Sequence, residues 1–99
     1  MRTTLIRYRT HTDSADENQQ AVEAVFAELS KNSPAGLRYA ALRAPDATFY
    51  HLVMAETETT PLTALDSFRR FREGLPARCA EPPSSVDLVL VGDYRMVRA

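Results

Sequence analysis

At 99 residues, with 44% hydrophobic and 25% charged side chains, the chain has the size and composition of one ordinary soluble domain with a modest core, expected to run over 1–99. A formal charge of -1 and a pI of about 6.1 supply no basic field for a phosphate backbone or an anionic bilayer, so neither nucleic acid nor membrane is an expected partner. Met1 to Tyr8 include Arg2 and Arg7 and no signal-peptide apolar region, and no stretch approaches the roughly 18 apolar residues of a membrane span. The single cysteine, Cys79, excludes an internal disulfide and suits a reducing compartment, for which the cytoplasm is the expectation.

The hydrophobic periods read strand, helix, strand, strand, helix, strand. Thr3 to Thr10 alternates weakly and is rich in strand-favouring Thr, Ile and Tyr. The run from Thr12 to Glu17 offers capping side chains and early acidic residues, which predicts a helix start near Asp13 or Ser14. Val22, Val25, Phe26 and Leu29 then keep the spacing of one buried stripe, and the breakers from Asn32 to Gly36 stop the helix.

Leu37 to Ala44 and Thr48 to Glu56 flank Ala44-Pro45-Asp46-Ala47, a pattern that predicts an antiparallel hairpin. Thr57 to Pro61 reads as a polar link. Leu62 to Leu75 carries Leu62, Leu65, Phe68 and Phe71 at helical spacing, as one helix or two short ones, with Gly74 and Pro76 expected to end it. Ala80 to Ser85 reads as a rigid connector and Val86 to Tyr94 as the last strand. The third strand, through Phe49-Tyr50-His51-Leu52-Val53-Met54-Ala55, and the fourth, through Leu88-Val89-Leu90-Val91, are apolar on both faces.

Two interleaved strand-helix-strand units give an α+β, ferredoxin-like βαββαβ sandwich, in which two helices cover one face of a four-stranded antiparallel sheet. The other face would then expose a contiguous apolar patch, which a twofold homodimer would bury, closing two sheets into an α+β barrel.

In Leu5-Ile6-Arg7-Tyr8-Arg9, Gly36-Leu37-Arg38-Tyr39-Ala40, Thr48-Phe49-Tyr50-His51-Leu52-Val53 and Ser67-Phe68-Arg69-Arg70-Phe71, the chain resembles the dimeric α+β barrel proteins. Within that superfamily it is similar to the proteins grouped with the antibiotic biosynthesis monooxygenases. The resemblance implies a homodimer and, for some members, oxidation of aromatic polyketide intermediates by molecular oxygen without metal or flavin. A related branch binds haem through an asparagine, a tryptophan and a histidine; this chain has no tryptophan, so haem is not implied.

Such chemistry requires an ionised hydroxyaromatic, a base and anion-stabilising donors. His51, which interrupts an apolar strand, is the candidate base, competing with a role as a core or interface histidine. Tyr39 and Tyr50 are the candidate catalytic hydroxyls, and Tyr8, Arg7, Phe26, Phe68 and Phe71 the candidate substrate-binding residues, each of which also has a plain packing or ion-pairing role open to it. Cys79 lacks the context of a nucleophile, His11 and Asp13 lack a third metal ligand, and the three glycines form no phosphate loop, so no cofactor or metal is expected. The expected function is cofactor-independent monooxygenase-like action on a small aromatic or quinone-like molecule. The alternative is a non-catalytic ligand-binding or structural homodimer. An RNA-recognition module shares the element order but lacks its basic and glycine-containing third-strand signature here.

Overall fold

The computed structural model describes residues 2–56 and 61–96. Strand β1 (Arg2–Thr10), helix α1 (Ala15–Asn32), strands β2 (Leu37–Arg43) and β3 (Thr48–Ala55), helix α2 (Asp66–Arg78) and strand β4 (Cys79–Leu88) follow one another along the chain. All strand pairs are antiparallel in one sheet of order β2-β3-β1-β4, the ferredoxin-like α+β arrangement.

Local chemistry sets the element ends. Thr12–Ser14 form a 3-10 turn before α1 begins at Ala15, and α1 stops where Ser33 turns left-handed (φ 43°) and donates its N–H to the Leu29 carbonyl at 2.7 Å. In the hairpin, Ala47 takes a positive φ of 70°, while Asp46 Oδ1 accepts the Thr48 N–H at 3.1 Å. Helix α2 follows a 3-10 turn at Pro61–Ala64 and has no cap from its own Leu65 side chain. Glu28 of α1 supplies one instead: its Oε1 accepts from the Ser67 N–H at 3.0 Å and from Ser67 Oγ at 2.5 Å, tying the helices together.

The structure corrects the sequence reading at the C-terminal end. Helix α2 runs through Gly74 and Pro76 to Arg78. Proline there forfeits a single hydrogen bond near the end of the helix. Meanwhile Arg78 Nη2 donates to the Phe71 carbonyl at 3.2 Å and secures the last turn. The expected connector from Ala80 to Ser85 is itself strand. Because β4 is an edge strand, Pro82 and Pro83 need donate to no second neighbour, and they fall where the β1–β4 register shifts between Arg7 and Arg9. The apolar run Val89-Leu90-Val91, expected as the heart of the last strand, lies beyond the sheet, with Val89 87% and Val91 98% exposed. The polar link expected over Thr57 to Pro61 lies outside the described residues except for Pro61.

Alternation along the strands sorts side chains onto two faces. Ile6, Tyr8, Tyr39, Ala41, Phe49, His51 and Val53 share the face on which the helices pack, where Val22, Val25, Phe71 and Leu75 complete the core. Leu5, Arg7, Leu42, Tyr50, Leu52, Met54, Val86 and Leu88 take the opposite face.

Candidate functional site

The helix-covered face carries an aromatic wall with a polar thread through it. Tyr8 stacks on Phe49 with centroids 5.5 Å apart and planes 9° from parallel. His51 lies 5.6 Å from Phe71, and Phe26 stacks on Tyr39 at 4.7 Å. Phe68 flanks Phe71 at 6.2 Å.

Within this wall His51, 3% exposed, is held between two phenols. Its Nε2 lies 2.8 Å from the Tyr8 hydroxyl and its Nδ1 lies 2.5 Å from the Tyr39 hydroxyl. The thread continues inward. Asn18 of α1, fully buried, donates from Nδ2 to the Tyr8 hydroxyl at 2.9 Å, and Arg78 at the end of α2 donates from Nε to Asn18 Oδ1 at 2.9 Å. Arg78 also sits over the Phe71 ring at 5.7 Å, so its buried charge is met by two carbonyl oxygens and a π face.

Burial governs the titration of the site. It pushes the His51 imidazole down from 6.5 to about 4, so the ring is neutral near physiological pH. The same desolvation raises Tyr8 to about 12 and lifts Tyr39 further above the ordinary phenol value, keeping both hydroxyls protonated. Burial also raises the Cys79 thiol, the opposite of what a nucleophile needs.

The thread reaches the surface at Tyr39. That residue is half-buried and lines a groove of about 260 Å³ between the C-terminal half of α1 and the start of β2, together with Phe26, Leu29, Ser33, Pro34 and Leu37. The structure thus brings together six sequence-selected residues: His51, Tyr39, Tyr8, Phe26, Phe68 and Phe71. It separates the other two. Tyr50 and Arg7 are register partners on the opposite face, hydrogen-bonded to each other, with Arg7 also 3.4 Å from Glu81. Their side chains lie across the sheet from the His51 ring because adjacent residues of β3 point to opposite faces. His11 and Asp13 are exposed, and among the described residues no three His, Cys, Asp or Glu side chains gather as a metal site.

Asn18 and Arg78 escaped the sequence reading, although a signal was present. Asn18 continues the stripe of Ala15, Val22 and Val25, and Arg78 continues that of Phe71 and Leu75. A polar residue on an apolar stripe must find partners inside.

Solved structures share this architecture. A protein of Nitrosomonas europaea, provisionally named an antibiotic biosynthesis monooxygenase, superposes with a TM-score of 0.78 over 93% of this chain and 100% of its own, at 16% identity. A protein of Bacteroides thetaiotaomicron with the same provisional name gives 0.77 over 98% of this chain and 95% of its own, at 14% identity. A conserved protein of Methanosarcina mazei gives 0.73 over 88% and 89%, at 11% identity. At such identities the likeness is one of fold. Neither a protein-family model nor a curated protein matches the chain.

Proposed function

We propose that this chain is a homodimeric, cofactor-independent monooxygenase-type protein, one domain over 1–99, that takes a small aromatic or quinone-like molecule into the groove between α1 and β2. The observation that carries the reading is the buried His51 held between two tyrosine hydroxyls in an aromatic wall, with one of those tyrosines opening onto the groove. Phe26 and Leu29 offer a flat ligand apolar contact, and Tyr39 is the member of the hydrogen-bonded thread that lines the groove.

The chemistry asked of the site is modest. A hydroxyaromatic held as its electron-rich anion gives electrons directly to molecular oxygen. For 1-naphthol, one oxygen atom enters the ring, the other leaves as water, and the four electrons come from the naphthol as it becomes 1,4-naphthoquinone. The protein's part is to bind the ring, exclude bulk water and stabilise the oxyanion. Both His51 nitrogens are engaged by protein, so His51 acts on a ligand only by way of Tyr39. That saturation also favours a second reading, a non-catalytic binding protein on the same scaffold.

The homodimer rests on the open sheet face. Leu42, Val86 and Leu88 there are 52%, 51% and 41% exposed, and the run from Val89 to Val91 extends beyond them. No helix among the described residues is long and apolar enough to cross a membrane. The lone Cys79 suits the reducing cytoplasm.

The test is incubation of 1-naphthol with the protein under isotopically labelled oxygen. The monooxygenase reading expects protein-dependent 1,4-naphthoquinone carrying one labelled oxygen, with formation lost in Tyr39→Phe. Binding of 1,4-naphthoquinone without turnover selects the non-catalytic reading. Neither binding nor turnover removes both for this ligand class.

A further inference from the structure

The hydrogen bonds through the site have a direction, and hydrogen accounting fixes it. A guanidinium only donates, so Arg78 Nε, 2.9 Å from Asn18, makes the atom it faces the amide oxygen. The Asn18 amide is thereby oriented with its NH2 toward Tyr8, to whose hydroxyl it donates at 2.9 Å. Tyr8 is 1% exposed and has one hydroxyl proton of its own to place. The acceptor that the structure offers it is His51 Nε2 at 2.8 Å. If His51 donated instead, that proton would be stranded in the core.

Nε2 therefore accepts. A neutral imidazole has one N–H, which must then be on Nδ1 and is donated to the Tyr39 oxygen at 2.5 Å. Burial keeps the ring neutral down to about pH 4, so this single-proton count holds across the physiological range. The proton of Tyr39 has no acceptor within the series, and Tyr39 is the member of the series that lines the groove.

We infer that Arg78, Asn18, Tyr8 and His51 form a one-way hydrogen-bond series that makes Tyr39 a donor into the groove, so the ligand atom selected there is an acceptor oxygen, a quinone carbonyl or a phenolate. The inference rests on the reading that this groove is the ligand site. The fixed charge of Arg78 starts the series; among the described residues no carboxylate forms an ion pair with it. Every dipole after it points the same way, so the bonds reinforce one another. Of the five residues of the series Tyr39 alone touches ligand, and the other four are positioning residues. The function of Tyr39 is thus to hold an oxyanion, and His51 takes no proton from the ligand.

The decisive experiment is nitrogen NMR of the histidine side chains in the full-length, ligand-free protein, with binding of 1,4-naphthoquinone followed alongside. The series expects the His51 proton on Nδ1, with Nε2 unprotonated. Asn18→Asp, nearly isosteric, replaces the donor NH2 by a carboxylate that accepts from both Arg78 and Tyr8. Every bond beyond it should reverse: the proton should move to Nε2, Tyr39 should donate to Nδ1, and affinity for the acceptor-only quinone should fall at least tenfold. A wild-type proton on Nε2 overturns the direction, whatever any ligand does and whether or not the variant folds. A tautomer switch in Asn18→Asp with unchanged quinone affinity overturns the selectivity. Absence of quinone binding to the wild-type protein removes the groove reading and the selectivity with it, while the nitrogen spectrum still decides the direction.

Discussion

Acidification should destabilise this protein through His51 before its carboxylates are reached. The folded imidazole titrates at about 4 against 6.5 when unfolded, because burial penalises its charged form. The unfolded chain therefore binds more protons than the folded one between those values. Stability is full above about pH 6.5 and is lost as pH falls toward about 4. Integrated over that window, the loss is about 2 kcal/mol by about pH 5 and about 3 kcal/mol by about pH 4. In a domain of this size 2 kcal/mol lowers the melting temperature by on the order of 10 °C. Glu28, Asp46 and Glu81 are held below the ordinary carboxylate range by their hydrogen-bond partners, so their share is lost only at lower pH. The assay is urea unfolding followed by circular dichroism in steps from about pH 8 to about pH 5, for the wild-type protein and for His51→Phe. The variant should be less stable throughout, because the Tyr8 and Tyr39 hydroxyls lose their partner, but should lack most of the wild-type slope. An equal slope in both proteins would refute the assignment of this titration to His51.

Three further outcomes are expected. Tyr39→Phe leaves the buried Nδ1–H without its acceptor and should lower stability by about 1–3 kcal/mol in urea titrations. Gly74→Ala, which in an exposed helix would gain up to about 1 kcal/mol, should destabilise instead: the added Cβ would stand 2.4 Å from Arg78 Nη1, whose guanidinium is pinned by Asn18 and Phe71. A raised melting temperature in that variant would show that Arg78 moves freely. Val89→Glu should convert a dimer to a monomer in light scattering, since Val89, directly after β4, is 87% exposed; a dimer retained with full affinity would place the interface elsewhere.

The sequence discloses the fold well because its helices keep largely apolar stripes and its hairpin carries strong turn chemistry. It misleads at the last strand, where composition alone makes Pro82-Pro83 a linker and Leu88 to Val91 a core strand. Edge position and a bulge make the prolines tolerable, and both are properties of the assembled sheet. His51 stands out as a polar interruption in an apolar strand, and the structure puts it at the centre of the polar thread. Tyr50 and Arg7 look as suitable as Tyr39 and Tyr8 until the register is known, since a displacement of one residue decides the face. Asn18 and Arg78 are not legible from residue type, because polar helix residues are usually solvated; their position on the stripe places them inside.

The groove between α1 and β2 is tested most directly by backbone amide chemical shifts of the wild-type protein on addition of 1,4-naphthoquinone. Saturable changes concentrated at Phe26, Leu29, Ser33, Leu37 and Tyr39 are the expected result. Changes confined to the open face around Leu42, Tyr50 and Leu52, or none at concentrations where quinones bind proteins specifically, would contradict it.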